Sequence, residues 1–512
     1  MMYAVTPTFF RRRNRHAMKL SRPILISAAA IALATGSLSV VNAADKEEGA
    51  AADRTAAHSP VIGEAAPAVP ANDTADSLPE ESGAAPVPAG TAAELGTDTG
   101  ARGEGGAAPT DVKAAVAALT QPGDVSPEIE ARAQIVPDHS STSTTRATMR
   151  KMTGPADAPK KVPGNGDIPQ SWYGTKNVEG WYVYSESMGR DIPVALVRAT
   201  APDGTPVANA PTLYMLNGAG GSEQTGDWIA VADAQNFYKG KGVNVVIPME
   251  GAFSYYVDWL TDGETLKQKS DYFKGAQKWS TFLGEELPPA VEHELGANDR
   301  RGILGFSMSG TSSLLLAEHF PGQYAAVGSF SGCAATSTPL PWAFAALTVN
   351  RAAKQPNYSS LTPAHIWGPM GSPYNRYNDA LVNADKLQDT KIYVSNGSGT
   401  ASQSDMVGYR VAENGQTLPD AISGSMTTTV EGGVIEAATN SCTHDLRAKL
   451  NSLNIPAHYE FRKAGTHSWA VWIDDMNRSW NTTFGPALVG DGFVRAEAPE
   501  PDRPTWNPGS SN

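Results

Sequence analysis

From residue 172 to about residue 493 the chain alternates short apolar runs with longer mixed stretches. Runs of strand length and apolar character occur at 181–184, 193–198, 212–216, 243–248, 302–304, 326–330, 391–395 and 457–461. Between them lie segments of helical character, among them 278–295 and 311–319. Strands separated by helices pair in parallel, and the crossover helices cover both faces of the sheet. The pattern therefore predicts an α/β protein, with a mostly parallel central sheet and helices on both faces, in one domain over 167–493. No internal repeat is visible.

The flanks read differently. Residues 11–22 are rich in Arg and Lys, residues 24–41 are apolar and small, and Val41-Asn42-Ala43 offers a small-residue cleavage site. Together these read as a secretory signal peptide over 1–43, and Met18-Lys19 opens a shorter signal of more ordinary form. The Ala, Ser, Thr and Gly content makes the stretch a poor membrane span, and no other long apolar run exists. The expected product is a secreted protein of the cell envelope or medium, with no integral membrane segment after signal removal. Residues 44–166 are rich in Ala, Pro, Gly, Ser, Thr and acidic residues and nearly free of aromatics. Such a segment cannot bury enough apolar surface to offset its ordering entropy, so it is expected to be disordered. A short helix at 111–119 is possible, where Val112, Val116 and Leu119 recur at helical spacing. Residues 494–512 read as a Pro-rich tail.

The formal net charge of -13 argues against non-specific binding to nucleic acid. The two cysteines, Cys333 and Cys442, lie far apart and show no metal-ligand spacing, so neither a metal nor another cofactor is expected. In an exported chain they are expected to pair, the alternative being two buried free thiols.

The strongest chemical signal is Gly305-Phe306-Ser307-Met308-Ser309-Gly310, between an apolar strand and a helical stretch. A serine between small residues at such a turn has the form of a nucleophile elbow, with the next N–H, that of Met308, facing the reacting carbonyl. Ser309 stands where a glycine is usual. Late in the chain, Gly465-Thr466-His467-Ser468-Trp469 follows a strand-like run and puts His467 where a catalytic base belongs in the order Ser, acid, His. The rival histidines are His293, His319, His365, His444 and His458. His16, His58 and His139 precede the expected domain. The acid is open, because Asp405 follows the strand at 391–395 and Glu431 and Glu436 lie further on.

Several motifs in one order carry a family resemblance. They are Leu213-Tyr214-Met215-Leu216-Asn217-Gly218, Phe253-Ser254-Tyr255-Tyr256-Val257-Asp258-Trp259, and Trp279-Ser280-Thr281-Phe282-Leu283. The elbow, Trp367-Gly368-Pro369, and the His467 segment with Trp472 complete the set. The domain resembles the mycolyltransferases of mycolic-acid-producing actinobacteria, the antigen 85 family within the esterase-like α/β-hydrolases. The resemblance implies an α/β-hydrolase fold and transfer of mycoloyl groups from trehalose monomycolate to a second one or to cell-wall arabinogalactan. It implies Ser307 as nucleophile, His467 as base and Glu436 as acid, and the N–H groups of Ala219 and Met308 as oxyanion donors. Substrate contacts are expected at Asn217, Gly218, Gly220 and Trp469. Where the mycobacterial branch carries an acid before the glycine and an arginine after it, this chain has Asn217 and Gly220, and a second acidic position falls near Ala335. The loop Asn217-Gly218-Ala219-Gly220-Gly221 is closer to the corynebacterial type. The competing readings are a secreted carboxylesterase using water as acceptor and a non-catalytic cell-wall binding protein. Intact Ser307 and His467 argue against the latter.

Overall fold

The computed structural model describes residues 125–139, 147–162, 169–354 and 360–497. The signal peptide, the possible helix at 111–119 and most of the Ala/Pro/Gly-rich segment and tail lie outside the described residues.

Among the described residues nine strands form one sheet: β1 (Met149–Lys151), β2 (Glu179–Ser185), β3 (Arg190–Val197), β4 (Thr212–Leu216), β5 (Asn244–Pro248), β6 (Arg301–Phe306), β7 (Ala326–Phe330), β8 (Lys391–Asn396) and β9 (Ala457–Phe461). Their order across the sheet is β1-β2-β3-β5-β4-β6-β7-β8-β9. The first three pairings are antiparallel, and β5-β4-β6-β7-β8-β9 are parallel throughout. This is the α/β-hydrolase arrangement that the resemblance implies. Strands β4, β5 and β7 are buried at every position, as parallel strands covered on both faces must be. The edge strand β9 is only partly buried along its length.

Five helices matter for the site: α1 (Leu287–Leu295), α2 (Met308–His319), α3 (Leu418–Thr427), α4 (Gly433–Ser452) and α5 (Trp469–Ser479). On one face Leu287 and Val291 of α1, Leu314 to Leu316 of α2, and Leu446 and Leu450 of α4 pack in one apolar cluster. On the other, Val471, Trp472 and Met476 of α5 join Trp228, Phe306 and Phe330. The stretch expected to be helical at 278–295 is a helix with a wide π turn at Phe282–Glu286 ahead of α1.

The domain begins earlier than the composition implies. Residues 125–139 and 147–162 fall in the segment expected to be disordered, yet they pack on the domain. A short helix, Pro127–Arg132, is capped by Ser126, and it buries Ile129. Ala133 is fully buried, and β1 extends the sheet beside β2. Isolated anchors such as Ile129 and Met152 suffice because the sheet edge and core already exist. His139, counted among the flanking histidines, lies 2.5 Å from Glu285 through Nδ1. The far end is similar: Ala496 is buried, and Trp480 Nε1 donates to Val494 O at 2.8 Å.

Register decides where the site forms. Leu216 pairs with Gly305, Phe306 with Phe330, and Phe330 with Ser395. The carboxyl ends of β4, β6, β7 and β8 therefore finish level, and the loops that follow them meet at one edge. Ligands in open α/β sheets bind outside these strand ends, where connections diverge to the two sides, as they do here around β4.

Candidate active site

Ser307 is the residue between β6 and α2, at φ 57° and ψ -124°. A non-glycine side chain in this region costs about 1–3 kcal/mol and persists only where the surroundings enforce it. The enforcement is visible. Ser307 N–H donates to Phe330 O at 2.8 Å. Ser309 is fully buried, its hydroxyl within 3.0 Å of Leu216 O and Phe306 O, and it accepts from Phe306 N–H at 3.0 Å. The serine in the usual glycine position thus ties the turn to β4. Gly305 is required, because a Cβ there would meet Ser309 O at 2.2 Å.

His467 bridges the other two residues. Its Nε2 lies 2.7 Å from Ser307 Oγ, and its Nδ1 lies 2.8 Å from Glu436 Oε2. Glu436 projects from the first turn of α4 and is fully buried. Its other oxygen, Oε1, accepts from Ser331 Oγ at 2.8 Å, Asn396 Nδ2 at 2.9 Å and Gly397 N–H at 2.6 Å. Burying a carboxylate is costly unless it is hydrogen-bonded, and here both oxygens are engaged. Trp472 Nε1 donates to Ser331 Oγ at 3.1 Å, and its ring stands edge-on to His467.

Asp405 sits close by without touching the imidazole. It accepts from Thr466 Oγ1 at 2.9 Å and from Ser402 N–H and Oγ at 2.8 Å, so it braces the residue before His467. Glu431 is part-exposed on the π turn Thr428–Gly432 between α3 and α4. Gly432 O in that turn accepts from His467 N–H at 3.0 Å. His319 is buried at the end of α2, where burial first and His139 second push its pKa down to about 3.

The loop after β4 lies beside the elbow. Gly218 is buried, and a Cβ there would meet the Phe306 ring at 2.5 Å. Ala219 O accepts from Phe253 N–H at 2.7 Å. Glu223 anchors the loop from below, accepting from Gly251 N–H at 3.1 Å and Ala252 N–H at 2.7 Å. Burial, and then the charge of Glu250, push the Glu223 carboxyl up to about 7. At Glu250 burial works against ionisation, but Lys274 and Arg190 outweigh it and hold the carboxyl below its usual range. Met308 opens α2, so its N–H has no partner within the helix.

Two expected substrate contacts are corrected by burial. Asn217 is fully buried, its amide donating to Pro248 O at 3.1 Å and accepting from Trp228 N–H at 3.2 Å, so it shapes the loop from within. Gly218 does the same against Phe306. Gly220 and Trp469 remain part-exposed, and Trp469 packs on Phe306 at 4.6 Å between centroids. Sequence reasoning missed Ser331 and Asn396, although each is a polar residue closing an apolar strand. Cys333 and Cys442 form a disulfide, Cys442 lying on α4 six residues beyond Glu436.

A family model described as a putative esterase matches residues 185–482. The chain belongs to this esterase family. The antigen 85 resemblance carried by the motifs is borne out at that level. The esterase-family chain is 28% identical over 303 residues to the diacylglycerol acyltransferase/mycolyltransferase Ag85A of Mycobacterium leprae (strain TN), covering 59% of this chain and 80% of the relative. To the Ag85A protein of Mycobacterium ulcerans it is 29% identical over 304 residues, covering 59% and 79%. The solved structure of Mycobacterium tuberculosis MPT51 (FbpC1) is similar with a TM-score of 0.44 and 22% identity, over 61% of this chain and 98% of that one.

Proposed function

We propose that the chain is a secreted serine acyltransferase that moves mycoloyl groups from trehalose monomycolate to a second trehalose monomycolate or to cell-wall arabinogalactan. One observation carries the proposal: the hydrogen-bonded line Glu436–His467–Ser307, at 2.8 and 2.7 Å, on a strained elbow. The names of the Ag85A relatives support acyl transfer and the mycolate class of substrate.

In this mechanism Ser307 Oγ attacks the ester carbonyl while His467 Nε2 takes its proton. Glu436 keeps the other imidazole proton on Nδ1 and stabilises the imidazolium. The N–H groups of Met308 and Ala219 receive the developing oxyanion. His467 then protonates the departing sugar oxygen, leaving acyl-Ser307. An acceptor hydroxyl enters, gives its proton to His467 and takes the acyl group, and His467 returns that proton to the departing Ser307 Oγ, so the kinetics are ping-pong. Asp405 and Glu223 hold the histidine loop and the oxyanion loop in place.

The family model's description as an esterase favours one second reading, a carboxylesterase in which water is the acceptor. Incubation with trehalose monomycolate separates the two: dimycolate in excess of free acid is expected, and free acid alone would establish the hydrolase. The signal-peptide reading places the enzyme outside the cell, and an exported form beginning at Ala44 is the expected product.

A further inference from the structure

Seven of the thirteen exposed large hydrophobic side chains among the described residues fall within residues 406–435. They are not scattered there. Leu418, Ile422 and Met426 recur every fourth residue on α3, so they share one side of that helix, and they are 59%, 44% and 63% exposed. Val430 and Ile435 continue the row across the π turn towards Glu436, and Val411 stands on the short helix Val407–Ala412 packed against α3. Only Ala421 of α3 is buried. The helix therefore turns most of its apolar surface outward, the reverse of a helix that stabilises a core.

Two further facts say what covers this face. The first is continuity with the site: α3, the π turn Thr428–Gly432 and α4 follow one another without a break, and Glu436 lies in the first turn of α4. The second is charge. Across residues 406–435 the charged residues are Arg410, Glu413, Asp420 and Glu431. Arg410 is turned inward, donating to Asp405 O at 3.3 Å and Thr428 Oγ1 at 3.0 Å, and it is 12% exposed. The segment thus offers apolar surface rimmed by acid, with no free cation to meet an anionic headgroup.

We propose that this row is an interfacial docking surface that seats the enzyme on aggregated lipid with uncharged headgroups. The inference rests on the acyl-ester reading of Ser307 and adds how an insoluble ester reaches it. Apolar side chains enter the acyl boundary of the aggregate, as an amphipathic helix does in an interface plane. The acidic rim excludes anionic bilayers. The ester is then presented at the end of the row, beside the site, without first dissolving in water.

The test uses the full exported chain and a variant, Leu418→Ser/Ile422→Ser/Met426→Ser, whose changes lie on exposed positions away from the catalytic residues. Co-flotation is measured with phosphatidylcholine vesicles containing digalactosyl diacylglycerol and with vesicles containing phosphatidylglycerol. The native chain is expected to float with the galactolipid vesicles and less with the anionic ones. The variant should lose about tenfold or more in vesicle affinity, since removing even one large buried side chain is worth roughly that factor. Both proteins should hydrolyse p-nitrophenyl butyrate, as a dissolved monomer, at equal rates, which also reports an intact fold. Equal flotation of native chain and variant overturns the proposal. So does a native dimer that becomes monomeric in the variant, which assigns the face to a second copy. So does flotation that appears only when residues 44–124 are removed, which assigns it to the chain's own N-terminal segment. If the native chain floats but turns over no ester at all, the reading of Ser307 fails while the docking surface stands.

Discussion

Glu436→Gln is the most informative single change, because the structure dictates how the new amide must sit. Three donors converge on Oε1: Ser331 Oγ, Asn396 Nδ2 and Gly397 N–H. A glutamine NH2 placed there would face three hydrogen-bond donors, so the amide oxygen takes that position and the NH2 turns towards His467 Nδ1, 2.8 Å away. The imidazole must then accept at Nδ1 and carry its proton on Nε2, the atom 2.7 Å from Ser307 Oγ. A base that already holds a proton cannot take another from the serine. Holding the wrong tautomer costs on the order of 10,000-fold in kcat, equivalent to about 5.4 kcal/mol of transition-state stabilisation. The side chain keeps its volume, so no cavity forms and Tm serves as a check on the fold. Pre-steady-state acylation by a p-nitrophenyl ester reads the effect directly, with KM little changed. Asp405→Asn should lose far less, since Asp405 touches Thr466 and Ser402 and not the imidazole. A Glu436→Gln enzyme within about tenfold of the native rate, or one more active than Asp405→Asn, refutes the assignment of the acid.

Ser307→Ala should abolish labelling by a serine-reactive phosphonate; labelling that moves to Ser309, whose hydroxyl is fully buried, would refute the elbow assignment. Cys442→Ser opens a cross-link between residues 109 apart, worth about 4 to 5 kcal/mol on the chain-entropy model. It should lower Tm and slow acylation, and unchanged acylation would remove the proposed link between the bond and the position of Glu436. Glu223→Gln tests the buried carboxyl beneath the oxyanion loop. A carboxyl raised to about 7 in the folded state contributes stability that is full at low pH and lost as pH rises through that value. The native Tm should therefore fall relative to that of Glu223→Gln between about pH 5 and pH 8, and a native protein that gains on the variant over that interval contradicts the assignment.

The parts of the molecule legible in the sequence are those fixed by local constraints. A parallel strand buried on both faces must be a short apolar run, so β4 and β7 fall where the runs at 212–216 and 326–330 place them. The turn at Ser307 needs small neighbours, and those neighbours are consecutive in the chain. What stayed illegible depends on distant parts meeting. Ile129 and Met152 look like stray apolar residues in a Pro/Ala-rich stretch, and only the finished sheet and core give them something to pack against. Asn217 sits in a loop whose sequence resembles a substrate-facing one, but its amide is taken by Pro248 and Trp228 from elsewhere in the chain.

The choice among three acids was open for the same reason, and the proposed acid, Glu436, is held by an otherwise costly set of tethers. An acid on the loop directly after β8, where Asp405 lies nearer, would be positioned by the strand itself. Glu436 is carried by a helix, so its placement depends on how that helix docks and turns. The contacts that fix it gather within seven residues of Glu436. Asn396, the last residue of β8, donates to Glu436 O at 3.0 Å as well as to the carboxylate. Thr443 is tied to Asn396 Oδ1 at 2.9 Å, and Cys442 is bonded to Cys333 just beyond β7. Ser331, two residues before that cysteine, holds the carboxylate and is itself held by Trp472 of α5. A helix-borne acid is thus locked to the ends of β7 and β8 and to the helix that follows His467. The same helical body extends outward through the π turn to the exposed row on α3. The proposed lipid contact at Leu418–Thr427 would therefore fall on the same helical body that carries Glu436.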